Sequence, residues 1–422
     1  MTAVDTATPA PTTPLAPTAP TTPDTSAALT APERAAAWQR LCDSAHELAE
    51  RFAERAGENY ESGAFVARNL RDLTDAGITA VNVPREMGGF EATLEENTRL
   101  LRIIAGGCGS TAFTLAIHAV LTGSLRSDLG AAVRERMFTA VRDGAFLAGP
   151  FTDEGSGGNW VRPSTVARRD GDGFVLDGLK HFATGYDAAT HLVLTAGLDD
   201  AHLEPPFNLA AFFVEKPRQG IAVTAPWRGF ALPMTGSHSL ALTGLRVAAE
   251  DSVFPDGLTP LFVMARQQWG HYCFAAVFLG LAERAYALAV ERTRGRSTTA
   301  VGDLARLPGI QFAVARMRSS LATMDALLTE YATRHADPGD DLPAFVADTC
   351  IPKYFITNEA EHVVATAFEV IGGSGIRDGS RIGQIWRDVK AGPLLPFTND
   401  LAREHIGKAT LGISPVETPR WL

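Results

Sequence analysis

Apolar positions near the start of the chain recur at helical spacing. Trp38, Leu41, Cys42, Ala45, Leu48, Ala49 and Phe52 fall at i, i+3/4 intervals that place them on one face. Several further helices are predicted up to about Gly144. Thr93 with Glu96 has the form of a capping box, each side chain satisfying an orphan backbone N–H, and Leu100, Ile103 and Ile104 follow at helical spacing. From about Ala145 to Phe254 the period drops to two, with runs at Phe174 to Leu176, Leu192 to Leu194, Leu209 to Val214 and Leu240 to Leu242. Turn residues such as RDGDG at Arg169 to Gly173 separate the runs, and the pattern predicts a small β-barrel or an orthogonal pair of sheets. Beyond Pro260 the helical period returns. Phe274, Val277, Phe278, Leu281, Ala285, Leu288 and Ala289 mark one long helix, and segments near Phe312 to Leu328 and Phe345 to Ile371 mark others. A polar, glycine-containing loop spans Arg294 to Pro308. A four-helix bundle is the economical packing for this part. The expected architecture is a multidomain α+β chain: helices over 31–144, strands over 145–254, and a helical bundle over 255–422.

Length agrees with several packed domains, since 422 residues exceed the roughly 250–300 that one core supports. Residues 1–30, almost all Ala, Thr and Pro, cannot bury enough apolar area to offset chain entropy and are expected to be a disordered tail. The tail has neither the basic start nor the apolar run of a secretory signal. No stretch is read as approaching the roughly 20 apolar residues of a membrane span. A net charge of -10 argues against nucleic acid, whose backbone is held by clustered cations. Four scattered cysteines without a C-x-x-C pair suggest neither a disulfide framework nor a zinc cluster, and fit a reducing cytoplasm.

The candidate chemistry lies in short motifs. VPREMGGF (Val83 to Phe90), FTDEGSGGN (Phe151 to Asn159), DGLKHFATG (Asp177 to Gly185), MTGSH (Met234 to His238), FEVIGGSGI (Phe368 to Ile376) and IWRDVK (Ile385 to Lys390) occur in that order. Together they resemble the acyl-CoA dehydrogenase family, a flavoprotein fold shared with flavin-dependent monooxygenases. The resemblance runs from about residue 35 to 415. It implies FAD, with FMN the lesser alternative. An isoalloxazine ring needs a flat apolar slot and a few polar groups aimed at N5 and the pyrimidine edge. Thr152 and Thr184 match the family positions that supply those groups, with Phe151 and Phe182 as ring neighbours and Ser156 and Thr398 as further cofactor contacts. Gly372, Gly373 and Gly375 would let backbone N–H groups approach a pyrophosphate. In the family this turn comes from a neighbouring subunit, as do an Arg and a Gln matching Arg292 and Gln311, which implies a homodimer or homotetramer. Glu369 stands where the family has Gln, and the Arg294 to Pro308 loop is longer than the family's connection.

The catalytic base is where the sequence departs most. Dehydrogenation of an acyl thioester needs a carboxylate that takes an α-proton while hydride leaves to the flavin. Counting from the Asp of the Arg-Asp segment puts Pro396 at the usual Glu position, and the alternative position on the first bundle helix holds Gly270, beside His271. Candidate bases are His271, whose imidazole titrates near neutrality, and Asp400 or Glu404 on the following turn. Dehydrogenation of an acyl-CoA or acyl-carrier-protein substrate is the leading reading. A monooxygenase using reduced flavin, with His118, His238 or His271 near the ring, is the rival, and a supporting subunit of a heteromeric enzyme is the third. The redox partner would be an electron-transfer flavoprotein, oxygen or a flavin reductase. Phe113, Trp160, Trp269, Pro396 and Phe397 are the candidate substrate contacts.

Overall fold

The computed structural model describes residues 30–126, 129–155, 162–200, 202–203, 208–254, 266–294, 296–299, 302–335 and 341–414. Residues 1–29 of the expected tail and, separately, Ser156 and Trp160 lie outside the described residues.

Helices open the fold: α1 (Ala31–Asn59), α2 (Ala67–Asp75), α3 (Leu94–Gly107), α4 (Gly109–Ser124) and α5 (Ala131–Arg142). The face of α1 read from the sequence is the buried one, with Cys42, Ala45, Leu48, Ala49 and Phe52 inside. The capping box forms at α3. The Glu96 N–H donates to Thr93 Oγ1 at 3.1 Å, and Glu96 Oε2 accepts from the Thr93 N–H at 2.8 Å.

The strands form a single curled sheet: β1 (Leu147–Ala148), β2 (Thr152–Asp153), β3 (Val166–Asp170), β4 (Gly173–Ala183), β5 (His191–Leu198), β6 (Leu209–Glu215), β7 (Ile221–Ala225) and β8 (His238–Ala248). Its order is β1-β5-β3-β4-β8-β7, with β2 also paired to β4 and β6 to β5. The RDGDG segment is the hairpin between β3 and β4, closed at Asp170 opposite Gly173 with Gly171 at φ +59°. Alternation along β4 and β8 turns Phe174, Leu176, Leu240, Leu242 and Leu245 into the sheet's own core.

The last part contains α6 (Gln267–Thr293), α7 (Pro308–Arg334), α8 (Leu342–Ile371), α9 (Arg381–Val389) and α10 (Asn399–Thr410). The long loop between α6 and α7 carries a small hairpin, Ser297–Thr298 against Gly302–Asp303. By length and composition α6 could cross a membrane, which corrects the reading that no stretch approaches a span. It is instead the central core helix, with 67% of its most apolar window buried. Being apolar all round, it packs against neighbours on every side, and Leu281, Ala285 and Ala289 share one core with Leu100, Ile104 and Ala112 of the opening helices.

Candidate functional site

Sheet, opening helices and bundle meet around a cavity of 660 Å³. Its lining is mostly apolar, interrupted by the hydroxyls of Ser124, Thr152, Thr184, Thr195, Thr235, Ser237 and Thr398, the Gln267 amide, the imidazole of His271, and the cations Arg266 and Lys390. Among the described residues no Asp or Glu lines it. An apolar slot with a few convergent polar groups is the usual form of a small-molecule site.

Nine residues singled out in the sequence meet here: Phe113, Phe151, Thr152, Phe182, Thr184, His271, Pro396, Phe397 and Thr398. A register shift in β4 between Lys180 and Ala183 re-aims the strand at Phe182, which takes φ +56° and stands 55% exposed beside Trp227 at a ring separation of 5.9 Å. Phe113 packs on Phe274 at 5.2 Å. Thr398 also caps α10, accepting from the Leu401 N–H at 3.3 Å.

Other candidates lie elsewhere. Trp269 is core: it does not line the cavity, Arg126 covers its ring at 5.6 Å, and a Cβ on Gly123 would fall 2.0 Å from it. Asp400 points to solvent, its side chain 85% exposed and paired with Arg403 at 2.5 Å, because it sits in the first turn of a surface helix. Glu404 pairs with Lys408 at 2.6 Å, one turn along, and is also absent from the lining. Neither is placed as a base. His118 is a structural pin. Its Nε2–H donates to the Thr79 carbonyl at 2.8 Å, its Nδ1 accepts from the Leu147 N–H at 3.0 Å, and burial pushes it down to about 4. His238 is likewise engaged at both nitrogens, by the Trp227 N–H at 2.9 Å and Asp187 at 3.0 Å.

Arg292, Gln311, Glu369, Gly372, Gly373 and Gly375 do not line the cavity. Arg292 Nη2 donates to Ser374 Oγ at 3.3 Å within the glycine turn Gly372–Ile376, where Gly372 holds φ +72°. Gln311 is exposed and donates to the Ala305 carbonyl at 3.0 Å.

His271 is the titratable group with the most telling environment. The Thr349 carbonyl can only accept, so Nδ1 carries the hydrogen at 3.0 Å and the neutral ring keeps its lone pair on Nε2. That atom is buried and has no hydrogen-bond partner among the described residues. Burial, then the nearby Lys353 cation, push the imidazole down to about 3. The Phe397 ring meets it edge-on at 5.3 Å.

Sequence reasoning missed the groups that hold these residues in place. Lys353, fully buried on α8, donates from Nζ to the carbonyls of Leu395 (3.1 Å) and Phe397 (2.6 Å) and to Asn399 Oδ1 (2.9 Å), and so fixes the turn that carries Pro396. Burial pushes its ammonium down to about 7. A lone Lys in the apolar run of α8 was the available signal. Lys180, inside a recognised motif, pairs with Asp153 at 2.8 Å with both side chains fully buried, and Asp153 also accepts from Thr165 Oγ1 at 2.6 Å. This pair pins β2, and therefore Thr152, onto β4. Thr184, Ser237 and Thr235 form a row of hydroxyls, 2.8 Å and then 2.7 Å apart, ending on the Leu232 carbonyl at 3.0 Å. Asp388 closes the arrangement from below. Its Oδ1 accepts from Tyr60 Oη at 2.6 Å and the Leu232 N–H at 2.7 Å, joining α1, the cavity turn and α9, and burial pushes it up to about 6.

Comparison with known proteins gives this arrangement a lineage. The acyl-CoA dehydrogenase N-terminal domain matches residues 37–144 and the acyl-CoA dehydrogenase C-terminal domain residues 272–399. The chain is 27% identical to cyclohex-1-ene-1-carbonyl-CoA dehydrogenase of Syntrophus aciditrophicus, over 88% of this chain and 89% of that one. It is 25% identical to dibenzothiophene monooxygenase of Rhodococcus qingshengii, over 87% and 92%. The structure of butyryl-CoA dehydrogenase from Megasphaera elsdenii superposes with a TM-score of 0.81 at 22% identity, covering 91% of this chain and 99% of that one. The chain belongs to the acyl-CoA dehydrogenase family, whose members are flavin-dependent oxidoreductases.

Proposed function

We propose that this chain is a flavin-dependent monooxygenase that takes reduced flavin from a separate reductase and inserts one oxygen atom of dioxygen into an apolar substrate. The observation that carries the reading is the cavity's lack, among the described residues, of any lining carboxylate, together with a His271 that burial keeps neutral. Removing an α-proton from a thioester needs a base near the working pH, and an imidazole pushed down to about 3 is a poor one. The same imidazole suits a different task. Its Nε2 lone pair holds the proton of a substrate hydroxyl or amine by accepting a hydrogen bond, in a site whose apolar lining excludes water.

The residues present fit a flavin. Thr152 and Thr184 supply polar groups on the sheet side, and Phe151, Phe182 and Trp227 supply apolar faces. The bound reduced ring would supply two electrons to dioxygen, one oxygen atom entering the substrate and the other leaving as water. FAD is favoured over FMN because the glycine turn with Arg292 beside it suits a diphosphate held by a second copy of the chain. Phe312 and Ile376, 73% and 78% exposed beside Gln311 and Gly375, are apolar surface that such a copy would cover in a homodimer or homotetramer. The four cysteines are free and buried, which fits a cytoplasmic protein.

Dehydrogenation of an acyl-CoA or acyl-carrier thioester is the second reading, favoured by Arg266 and Lys390 on the lining, cations that could meet a phosphate-bearing carrier. One experiment separates the two. Protein charged with FAD is given a reductase, NAD(P)H and ¹⁸O₂ with a panel of aromatic, amine and acyl-thioester substrates, and in parallel is mixed with acyl-CoAs without oxygen. Label in one product supports oxygenation. Anaerobic bleaching of the flavin by an acyl-CoA overturns it in favour of dehydrogenation, and activity only with an equimolar co-purifying protein would point to a supporting subunit.

A further inference from the structure

We propose that Ser237 and Thr235 fix the direction of the Thr184 hydroxyl, so that the cavity presents a hydrogen-bond acceptor to its flavin and is matched to the reduced ring rather than the oxidised one. This rests on the flavin reading of the cavity. A reduced isoalloxazine carries a hydrogen on N5, whereas the oxidised ring has a lone pair there.

The argument is a count of hydrogens. Thr235 Oγ1 lies 3.0 Å from the Leu232 carbonyl oxygen, which can only accept, so Thr235 donates there. Ser237 Oγ is 2.7 Å from Thr235, whose hydrogen is already used, so Ser237 donates to Thr235. Thr184 Oγ1 is 2.8 Å from Ser237, and by the same step Thr184 donates to Ser237. The other acceptor near Thr184, the Phe182 carbonyl, is 3.5 Å away and too distant to compete. Thr184 therefore keeps its lone pairs for the cavity. All three side chains are buried and all three line the cavity, so water cannot cheaply re-orient the row.

A ligand N–H completes four hydrogen bonds: ligand to Thr184, Thr184 to Ser237, Ser237 to Thr235, and Thr235 to Leu232. A ligand lone pair at the same place requires Thr184 to donate outward, and then only three remain: either Thr184 gives up its bond to Ser237, or the row reverses and Thr235 turns away from the carbonyl. The reversed row is attainable, since the Leu232 carbonyl keeps the Trp227 Nε1–H at 3.0 Å, but it is one bond poorer. One neutral hydrogen bond corresponds to about fivefold in a binding constant. Nothing in this step transfers a proton or an electron; it is a difference in affinity between two redox states, expressed as a more positive midpoint potential for the bound flavin.

The test uses full-length protein with FAD, and FMN in parallel. Dissociation constants are measured for the oxidised flavin in air and for the dithionite-reduced flavin without oxygen, and the midpoint potential of the bound flavin is titrated. In Ser237→Ala, Thr184 is free to donate outward. The preference for reduced flavin should fall about fivefold relative to the unaltered protein, equivalent to a drop of ~20 mV for a two-electron couple. Thr235→Val should lower it as far, because the remaining Thr184–Ser237 pair makes the same number of bonds in either direction. Thermal melts report whether each variant folds, and either variant alone suffices if the other does not. Equal weakening of both redox states in a folded variant would overturn the inference, because the row would then be structural or would face a ring N–H common to both states. Unaltered protein that binds neither FAD nor FMN would remove the flavin reading and this inference together. Binding with an unchanged ratio would remove the inference alone.

Discussion

The sheet wall and the helical wall of the cavity each rest on one fully buried lysine, and the two are satisfied in different ways. Lys180 on β4 stands 2.8 Å from Asp153, so the sheet wall holds a compensated pair of charges. Lys353 on α8 meets two carbonyls and an amide oxygen, and its ammonium has no carboxylate among these partners. Burial pushes both ammonium groups below the usual lysine range, but at Lys180 the Asp153 carboxylate opposes the shift. The walls therefore have different capacities. A compensated pair, with both charges buried, fixes the strand that carries Thr152. An uncompensated cation holds the Leu395 to Asn399 turn and also depresses His271, so the wall bearing the proposed chemistry is the one whose electrostatics can change.

The sharpest separation of the walls comes from His271→Ala. On the helical wall this should lower coupled turnover by about 10²-fold, the usual cost of losing a group that positions the substrate, while leaving flavin affinity unchanged. If flavin affinity fell in step with turnover, His271 would be packing, and the assignment of chemistry to that wall would fail. Next in size is Lys180→Met, which strands Asp153 as a buried, unpaired charge and should cost about 3–5 kcal/mol in denaturant unfolding. Adding Asp153→Asn to it should recover much of that loss. A double variant no better than the single one would mean that the pair's compensation is not what anchors the sheet wall.

The same contrast explains what could be read from the sequence. Periodicity located the buried face of α1 and the core helix α6, because those faces are set by residues three and four apart. Motif order brought Phe151, Thr152, Phe182, Thr184 and His271 to one cavity. The partners of Lys353 were not legible, because they lie 42 to 46 positions away and are backbone carbonyls as much as side chains. Nor was the hydroxyl row: Thr184 and Ser237 are 53 positions apart and meet only because β4 pairs with β8. Asp400 and Glu404 were placed by proximity in sequence to Pro396, but α10 turns their side chains into local ion pairs with Arg403 and Lys408. Trp269 misled for a related reason. It neighbours Gly270 and His271, yet helical geometry turns successive residues about a third of a turn apart and sends it into the core against Gly123.

Lys353→Met tests the weaker anchor. It leaves the Leu395 and Phe397 carbonyls without that donor but strands no opposite charge, so the expected cost is about 1–3 kcal/mol, less than for Lys180→Met, and is seen in the denaturant midpoint.

The smallest effect is the most specific one. A free lysine titrates near 10, and in the fold Lys353 is brought down to about 7. Between those values the unfolded chain holds a proton that the folded chain has released. Stability from this group is therefore complete above the unfolded value and is lost as pH falls through the folded one. The melting temperature should rise by about 1–3 °C from pH 7 to pH 9 on account of Lys353. Lys216, pushed down to about 8 by burial, and Lys180, also lowered by burial, contribute in the same direction, so the informative quantity is the part of the rise that Lys353→Met abolishes. Over the same interval Lys353 passes from three N–H donors to two while three oxygens still face it, so one hold on the Pro396 turn is released even as the fold gains stability. A wild-type rise that persisted undiminished in Lys353→Met would show that Lys353 does not make the helical wall sensitive to pH, and the distinction drawn between the two lysines would collapse.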